Sequence, residues 1–293
     1  MKTSTKIWLG VGAFVVAGSG AVSGQASPAD HTGVLAERLP LDARAPAAPQ
    51  TETSTIVLAQ AMKHGGEGGE GEGGEGGAAN LPPNIAFGLR IAQLRGHLLV
   101  GDQLVNEKQW NAALPHFLHP TGEIYGSIRG QLKEYGVPPF AAALKVLADT
   151  VKRKKGGADY AKALAAVQDA LAKADAGMKS KNPKWASFQI ETALELLKSA
   201  GGEYEEAVVK GRIGKPVEYQ DARGFVWQAA AIIDGVAGDL EKTDAGALKR
   251  MRTHLAELKA VFPTAMPPKQ PVKSHADVLA LIAQVELAAG PLM

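Results

Sequence analysis

From Leu81 onward, alanine, leucine and lysine dominate the chain, and apolar residues recur at intervals of three and four, the spacing of one helix face. Ile85, Leu89, Ala92, Leu99 and Leu104 form one stripe of a long helix that starts after Pro82-Pro83. A second helical stretch starts near Gln109 and breaks at His119-Pro120, before a further segment from Thr121 to Tyr135. Phe140–Lys154 and Tyr160–Ala176 continue the pattern, and it restarts after "KNPKW". Trp185–Val209, Tyr219–Leu240, Ala245–Phe262 and Ala276–Ala288 follow. Proline and glycine fall at the joints, where they end helices. Two-residue alternation is scarce, so the pattern predicts an all-α fold.

The two halves of this pattern look alike. "QWNAALPHF" corresponds to "EYQDARGFV", and "ALKVLADTVKRK" to "ALKRMRTHLAEL". "ADYAKALAAVQDALAKADAG" corresponds to "SHADVLALIAQVELAAG". In each half a long helix leads and three shorter elements follow. The expected architecture is two tandem, pseudo-repeated four-helix bundles, at 83–178 and 183–289.

The first 82 residues follow different rules. Lys2 and Lys6 precede an apolar run from Ile7 to about Ala21, and small residues suited to signal peptidase follow, so residues 1–26 read as a cleaved signal peptide. Residues 27–82 are rich in Ala, Pro, Thr and Ser and pass into "HGGEGGEGEGGEGGAAN", a glycine- and glutamate-rich linker too entropic and too self-repelling to pack. "STIVLAQAM" is a short apolar stretch within it. No later stretch approaches the ~20 apolar residues of a membrane span, so the mature chain is expected not to span a membrane and to occupy a periplasm.

Composition narrows the chemistry. The chain has no cysteine, which excludes disulfides, thiolate nucleophiles and sulfur-rich metal sites. Loss of Lys2 and Lys6 with the signal leaves basic and acidic residues balanced at 30 each, and no clustered basic face argues for nucleic acid. The "KRKK" run at 152–155 ends a helix, where cations complement the dipole.

Within "HFLHPTGEIY", His116 and His119 stand three apart with Glu123 close behind. His97 and Asp102 lie late in the preceding helix. With a hairpin bend near Glu107–Trp110, His97 comes opposite His119 or His116, which is the condition for a site shared between helices. Pro120 lacks a backbone donor and should aim His119 away from regular helical direction. His97, His116, His119 and Glu123 are therefore the candidate metal ligands, with Asp102 as a supporting partner. In the second half, Glu203, Glu206, Glu218, Tyr219 and Asp221 flank a turn containing Gly211, Gly214 and Pro216. Such oxygen donors suit a hard cation. A solvated acidic helix face beside Lys210, Arg212 and Arg223 explains the same residues.

Several chemistries have no motif here. Glu-x-x-His pairs, Cys-x-x-Cys-His, His-Glu-x-x-His, Gly-x-Ser-x-Gly and a phosphate loop are all missing from the sequence. A signal peptide, a linker and two related bundles over 83–289 resemble the imelysin-like group of bacterial envelope proteins, some of which are associated with iron uptake. "YEEAVVKGRIGKPVEYQDARGFV" is similar to extracytoplasmic domains of iron-permease-type proteins. The imelysin-like Gly-x-His-x-x-Glu pattern departs here: Gly96 directly precedes His97 and Val100 replaces the glutamate, which argues against a peptidase. The His/carboxylate cluster, taken with this resemblance to iron-uptake proteins, leads to the expectation of an exported protein that binds a metal ion, iron first and copper or zinc next, for capture or delivery rather than turnover. An envelope transporter or membrane complex is the implied partner. The alternative is a non-catalytic structural or interaction module of an envelope complex with no ion; a helical body holding haem through His97 or His119 is a third.

Overall fold

Pro82 is extended and Pro83 takes the first helical position, where a missing N–H leaves nothing unsatisfied, so the long first helix begins where its prolines permit. The computed structural model describes residues 80–293. The expected signal peptide and all but the last residues of the expected linker, "STIVLAQAM" included, lie outside the described residues.

Helix α1 (Pro83–Asn106) turns through Lys108, in left-handed backbone, into two short helices, α2 (Trp110–Ala113) and α3 (Pro115–His119). The chain does not break at Pro120. It runs on as a π-helical turn (Pro120–Ile124) and a short α4 (Tyr125–Ile128). The segment expected as a helix to Tyr135 then dissolves into turns that end at Gly136, whose φ is 66°. Helices α5 (Ala141–Lys152) and α6 (Gly157–Lys181) complete the first half.

In the second half, α7 (Trp185–Ala207) and α8 (Pro216–Gly235) are joined by a hairpin of two-residue strands, β1 (Val208–Val209) and β2 (Arg212–Ile213). Its turn residues Lys210 and Gly211 both have positive φ, as a two-residue hairpin loop requires. Helix α9 (Ala237–Val261) is interrupted at Asp244, which leaves helical backbone and caps the amide of Ala247 at 2.9 Å. That interruption is why the periodic pattern begins at Ala245. Helix α10 (His275–Ala289) opens on a capping box between Ser274 and Asp277. Among the described residues the fold is all-α apart from the small hairpin.

Two hydrophobic cores organise these elements. Phe87, Leu94, Phe117, Ile128, Leu147, Val167 and Met178 belong to the first, which draws on α1 and the elements up to α6. Ile190, Leu197, Tyr204, Phe225, Met251, Phe262 and Val285 belong to the second, built on α7 to α10. Helix α1 belongs to both. Its Leu89 and Ala92 enter the second core, while Phe87, Ile91 and Leu94 enter the first. The single apolar stripe expected of α1 is therefore replaced by burial around the helix, including the polar Gln93, whose amide donates to Ser199 Oγ at 3.2 Å.

Where α1 meets α8, the helices touch backbone to backbone. A Cβ added at Gly96 would sit 2.5 Å from the Phe225 ring, and one added at Gly224 would collide with the Gly96 carbonyl. Gly224→Ala should therefore force the helices apart, at about 1–3 kcal/mol or more. Gly238→Ala in α9, where an added Cβ meets nothing within 4 Å, should be neutral or stabilise by up to about 1 kcal/mol. Thermal unfolding followed by circular dichroism compares the two.

Candidate metal centre

The glycine contact between α1 and α8 brings His97, one residue beyond Gly96, against Asp221, one turn before Gly224. His97 Nδ1 lies 2.7 Å from Asp221 Oδ1. His116, carried by α3, brings its own Nδ1 to 2.8 Å from the same oxygen. The two imidazoles are essentially sealed from solvent, with side chains 1% and 0% exposed, and Asp221 is 4% exposed. One ligand atom from each of the three residues lies within 4.8 Å of those of the other two, the only such His/Cys/Asp/Glu group among the described residues. The ring of Phe225 closes one side, edge-on to His97 at 5.2 Å.

A carboxylate in such a place needs compensation. Burial by itself would raise the Asp221 pKa, but the charges and hydrogen bonds of His97 and His116 outweigh it and hold the carboxyl well below the usual carboxylate range. The group is thus poised as an anion inside the protein, which suits it to hold a cation.

The other sequence candidates fall around this centre. His119 is on its rim: its Nδ1 is 3.8 Å from Asp221 Oδ2 and its ring meets that of His97 edge-on at 5.6 Å. Glu123 is exposed. In a continuous α-helix a residue seven after His116 would share its face; the π-helical turn adds a residue to that turn and rotates Glu123 away. Asp102 faces a different partner, accepting from the Tyr160 hydroxyl at 2.9 Å and the Asn106 amide at 3.1 Å. Burial, then the neighbouring Asp102 charge, pushes the Tyr160 phenol far above its ordinary range. Tyr160 in turn packs edge-on against Phe117, next to His116, so Asp102 supports the α3 region from outside the ligand set.

The acidic cluster of the second half divides. Glu206 and Glu218 pair at the surface with Lys215, at 2.9 and 3.7 Å. Tyr219 donates to the Thr264 carbonyl, and burial first of all pushes its pKa up to about 12. Asp221, which a solvated acidic face would have left in water, is buried and completes the centre. Gln220 joins it, with Oε1 at 2.9 Å from His116 Nε2. The available clue to both was the run "YQDARGF", in which polar residues sit among Ala, Gly and Phe with no exposed position: residues 219 to 226 are all buried.

Helices α7 to α10 lie in a part of the chain for which a family model matches. Residues 179–292 match the family model of the iron permease-associated four-helix bundle domain. The match takes in Asp221 and Gln220 and leaves out His97, His116 and His119. Neither a search of curated proteins nor a search of solved structures returned a match.

The centre sets an acid limit on stability. Asp221 keeps a lower pKa folded than the ~3.9 of an unfolded aspartate. Its contribution is therefore fully present above about pH 4 and is lost as pH falls further, because the unfolded chain takes up the proton first. Asp221→Asn should flatten that part of the acid dependence, while Asp221→Ala, which leaves the imidazoles opposite a void, should cost about 3–5 kcal/mol at neutral pH. Urea unfolding at a series of pH values measures both.

Proposed function

We propose that this protein is an exported metal-ion carrier that captures or hands over iron in the periplasm, working beside an envelope transporter. The observation that carries the reading is the buried convergence of His97 and His116 with Asp221. Two imidazoles and a carboxylate are the donor set that open-sided iron(II) sites use. The O···N separations of 2.7 and 2.8 Å suit neighbouring ligands at right angles about bonds of ~2.0 Å, and are shorter than the ~3.3 Å edge of a tetrahedral zinc site. Such angles argue against tetrahedral zinc but are shared by copper(II), so iron is put first on the domain match. The domain match over 179–292 supports the same metal and a transporter partner. An imelysin-like assignment adds nothing further, since Val100 stands where that pattern needs glutamate.

Within this reading His97, His116 and Asp221 hold the ion, and His119, partly exposed at the rim, offers the way in and a further donor. The iron is cargo. The buried carboxylate supplies charge attraction and the imidazoles supply selectivity for a borderline ion over calcium or magnesium, which prefer all-oxygen sites. Export rests on the sequence of residues 1–26, and no helix among the described residues is long and apolar enough to cross a membrane.

A second reading has one observation in its favour. Separations of 2.7–2.8 Å are also hydrogen-bond lengths, so the same three residues could act as an ion-free cross-link in a helical interaction module. Titration of tag-free protein with iron(II) without oxygen, read by competition with a coloured chelator, separates the two. The carrier reading expects one ion per chain, with affinity falling steadily as pH is lowered. Asp221→Ala and His116→Ala should each weaken binding by about a hundredfold or more, beyond what loss of a supporting group produces. His119→Ala should weaken it less, and Glu123→Ala should leave it unchanged. No stoichiometric iron, zinc or copper in the wild type would leave the cross-link.

A further inference from the structure

Resting on the carrier reading, we infer that Gln220 is a positioning residue that fixes which nitrogen of His116 faces the ion. Gln220 is 1% exposed and its side chain is held at both ends. The amide nitrogen donates to the Ala265 carbonyl at 3.2 Å and lies 3.8 Å from Met266 Sδ. Exchanging the amide oxygen and nitrogen would point two carbonyl oxygens at each other across that distance, so the network assigns the orientation. Oε1 therefore faces His116 Nε2 at 2.9 Å, and because the oxygen only accepts, Nε2 must donate.

A neutral imidazole carries one N–H. With that hydrogen on Nε2, the lone pair lies on Nδ1, the atom 2.8 Å from Asp221 Oδ1. The space between these two atoms takes either a proton, which makes the His116–Asp221 hydrogen bond, or a metal ion in the proton's place. Gln220 thus does for His116 what outer carbonyls and carboxylates do for metal-bound histidines, presenting the binding nitrogen inward and holding the ring. The loop that supplies the Ala265 carbonyl is itself fastened to α8: Tyr219 donates to Thr264 and Arg223 to Phe262, at 3.2 and 3.3 Å. One helix therefore supplies the ligand Asp221, the orienting Gln220 and the grips that lock Gln220.

Two measurements on the full chain test this, and the first needs no metal. Long-range ¹H–¹⁵N spectra of the metal-free protein should show His116 Nε2 carrying a hydrogen; a His116 protonated on Nδ1 alone would overturn the inference whether or not the protein carries iron. The second is zinc(II) affinity by chelator competition. Gln220→Met, close in volume but with only a weak sulfur acceptor, should bind zinc about ten- to a hundredfold more weakly, whereas Gln220→Glu, which in its protonated form keeps an acceptor toward His116 and a donor toward the Ala265 carbonyl, should stay within about threefold of wild type. Equal losses in both variants would make Gln220 a packing residue and overturn the assignment. A wild type that binds no zinc would sink the carrier reading and leave the inference to the spectra.

Discussion

The structure turns on one buried anion. A carboxylate taken out of water costs several kcal/mol unless its surroundings return that energy through charge and hydrogen bonds. For Asp221 the return comes from α1 and α3, in the other half of the chain. Those partners can reach it only if α1 and α8 approach to backbone contact, and that approach exists because Gly96 and Gly224 carry no side chains. The glycines and the charge thus depend on each other. Without the contact, Asp221 would be stranded; without Asp221 and its histidines, the close approach would bury polar groups with nothing to bind. The same interaction fixes the register between the two cores, since α1 packs against both.

Local irregularity then does what a regular helix could not. Pro120 has no N–H to give to the carbonyl four residues back, so the α-helical ladder cannot simply continue through it. The chain responds with a π turn, closed by the Tyr125 amide on the Pro120 carbonyl, while the Thr121 hydroxyl serves the Phe117 carbonyl at 3.0 Å. The result keeps His116 buried and His119 at the rim, and turns Glu123 outward. The centre thus has a sealed side at His116 and one histidine, His119, near solvent.

Much of this was legible in the sequence, and what was not has an identifiable cause. Helix starts after Pro82 and at Trp185, and the restart after Asp244, are local events written in prolines, caps and periodicity; the helix expected over Tyr219–Leu240 instead runs from Pro216 to Gly235. The meeting of His97 with His116 was also accessible, because a hairpin bend near Lys108 relates positions about it by symmetry. The π turn was not, since a seven-residue spacing reads as two regular turns until hydrogen bonding is known. Asp221 was seen as an acidic residue and not as a partner of the histidines, because more than a hundred residues separate it from them. Acidic and basic letters around a turn describe a solvated face equally well; only the tertiary contact decides, and the small residues Gly96 and Gly224 were its faint signature.

The domain match and the site geometry are independent lines that meet on one helix. The matched region, 179–292, contains α8 and with it the carboxylate and Gln220, but the imidazoles come from α1 and α3, outside the match. Iron association argued from the matched bundle therefore says nothing of His97 or His116, and the geometry of those histidines owes nothing to the match. A four-helix bundle ending at α7 to α10 would present Asp221 and Gln220 on a helix face with nothing opposite; in this chain α1 and α3 cover that face and convert it into a three-residue centre. The first half of the chain is thus what encloses Asp221 with His97 and His116, and the cluster belongs to the junction of the two cores rather than to either one.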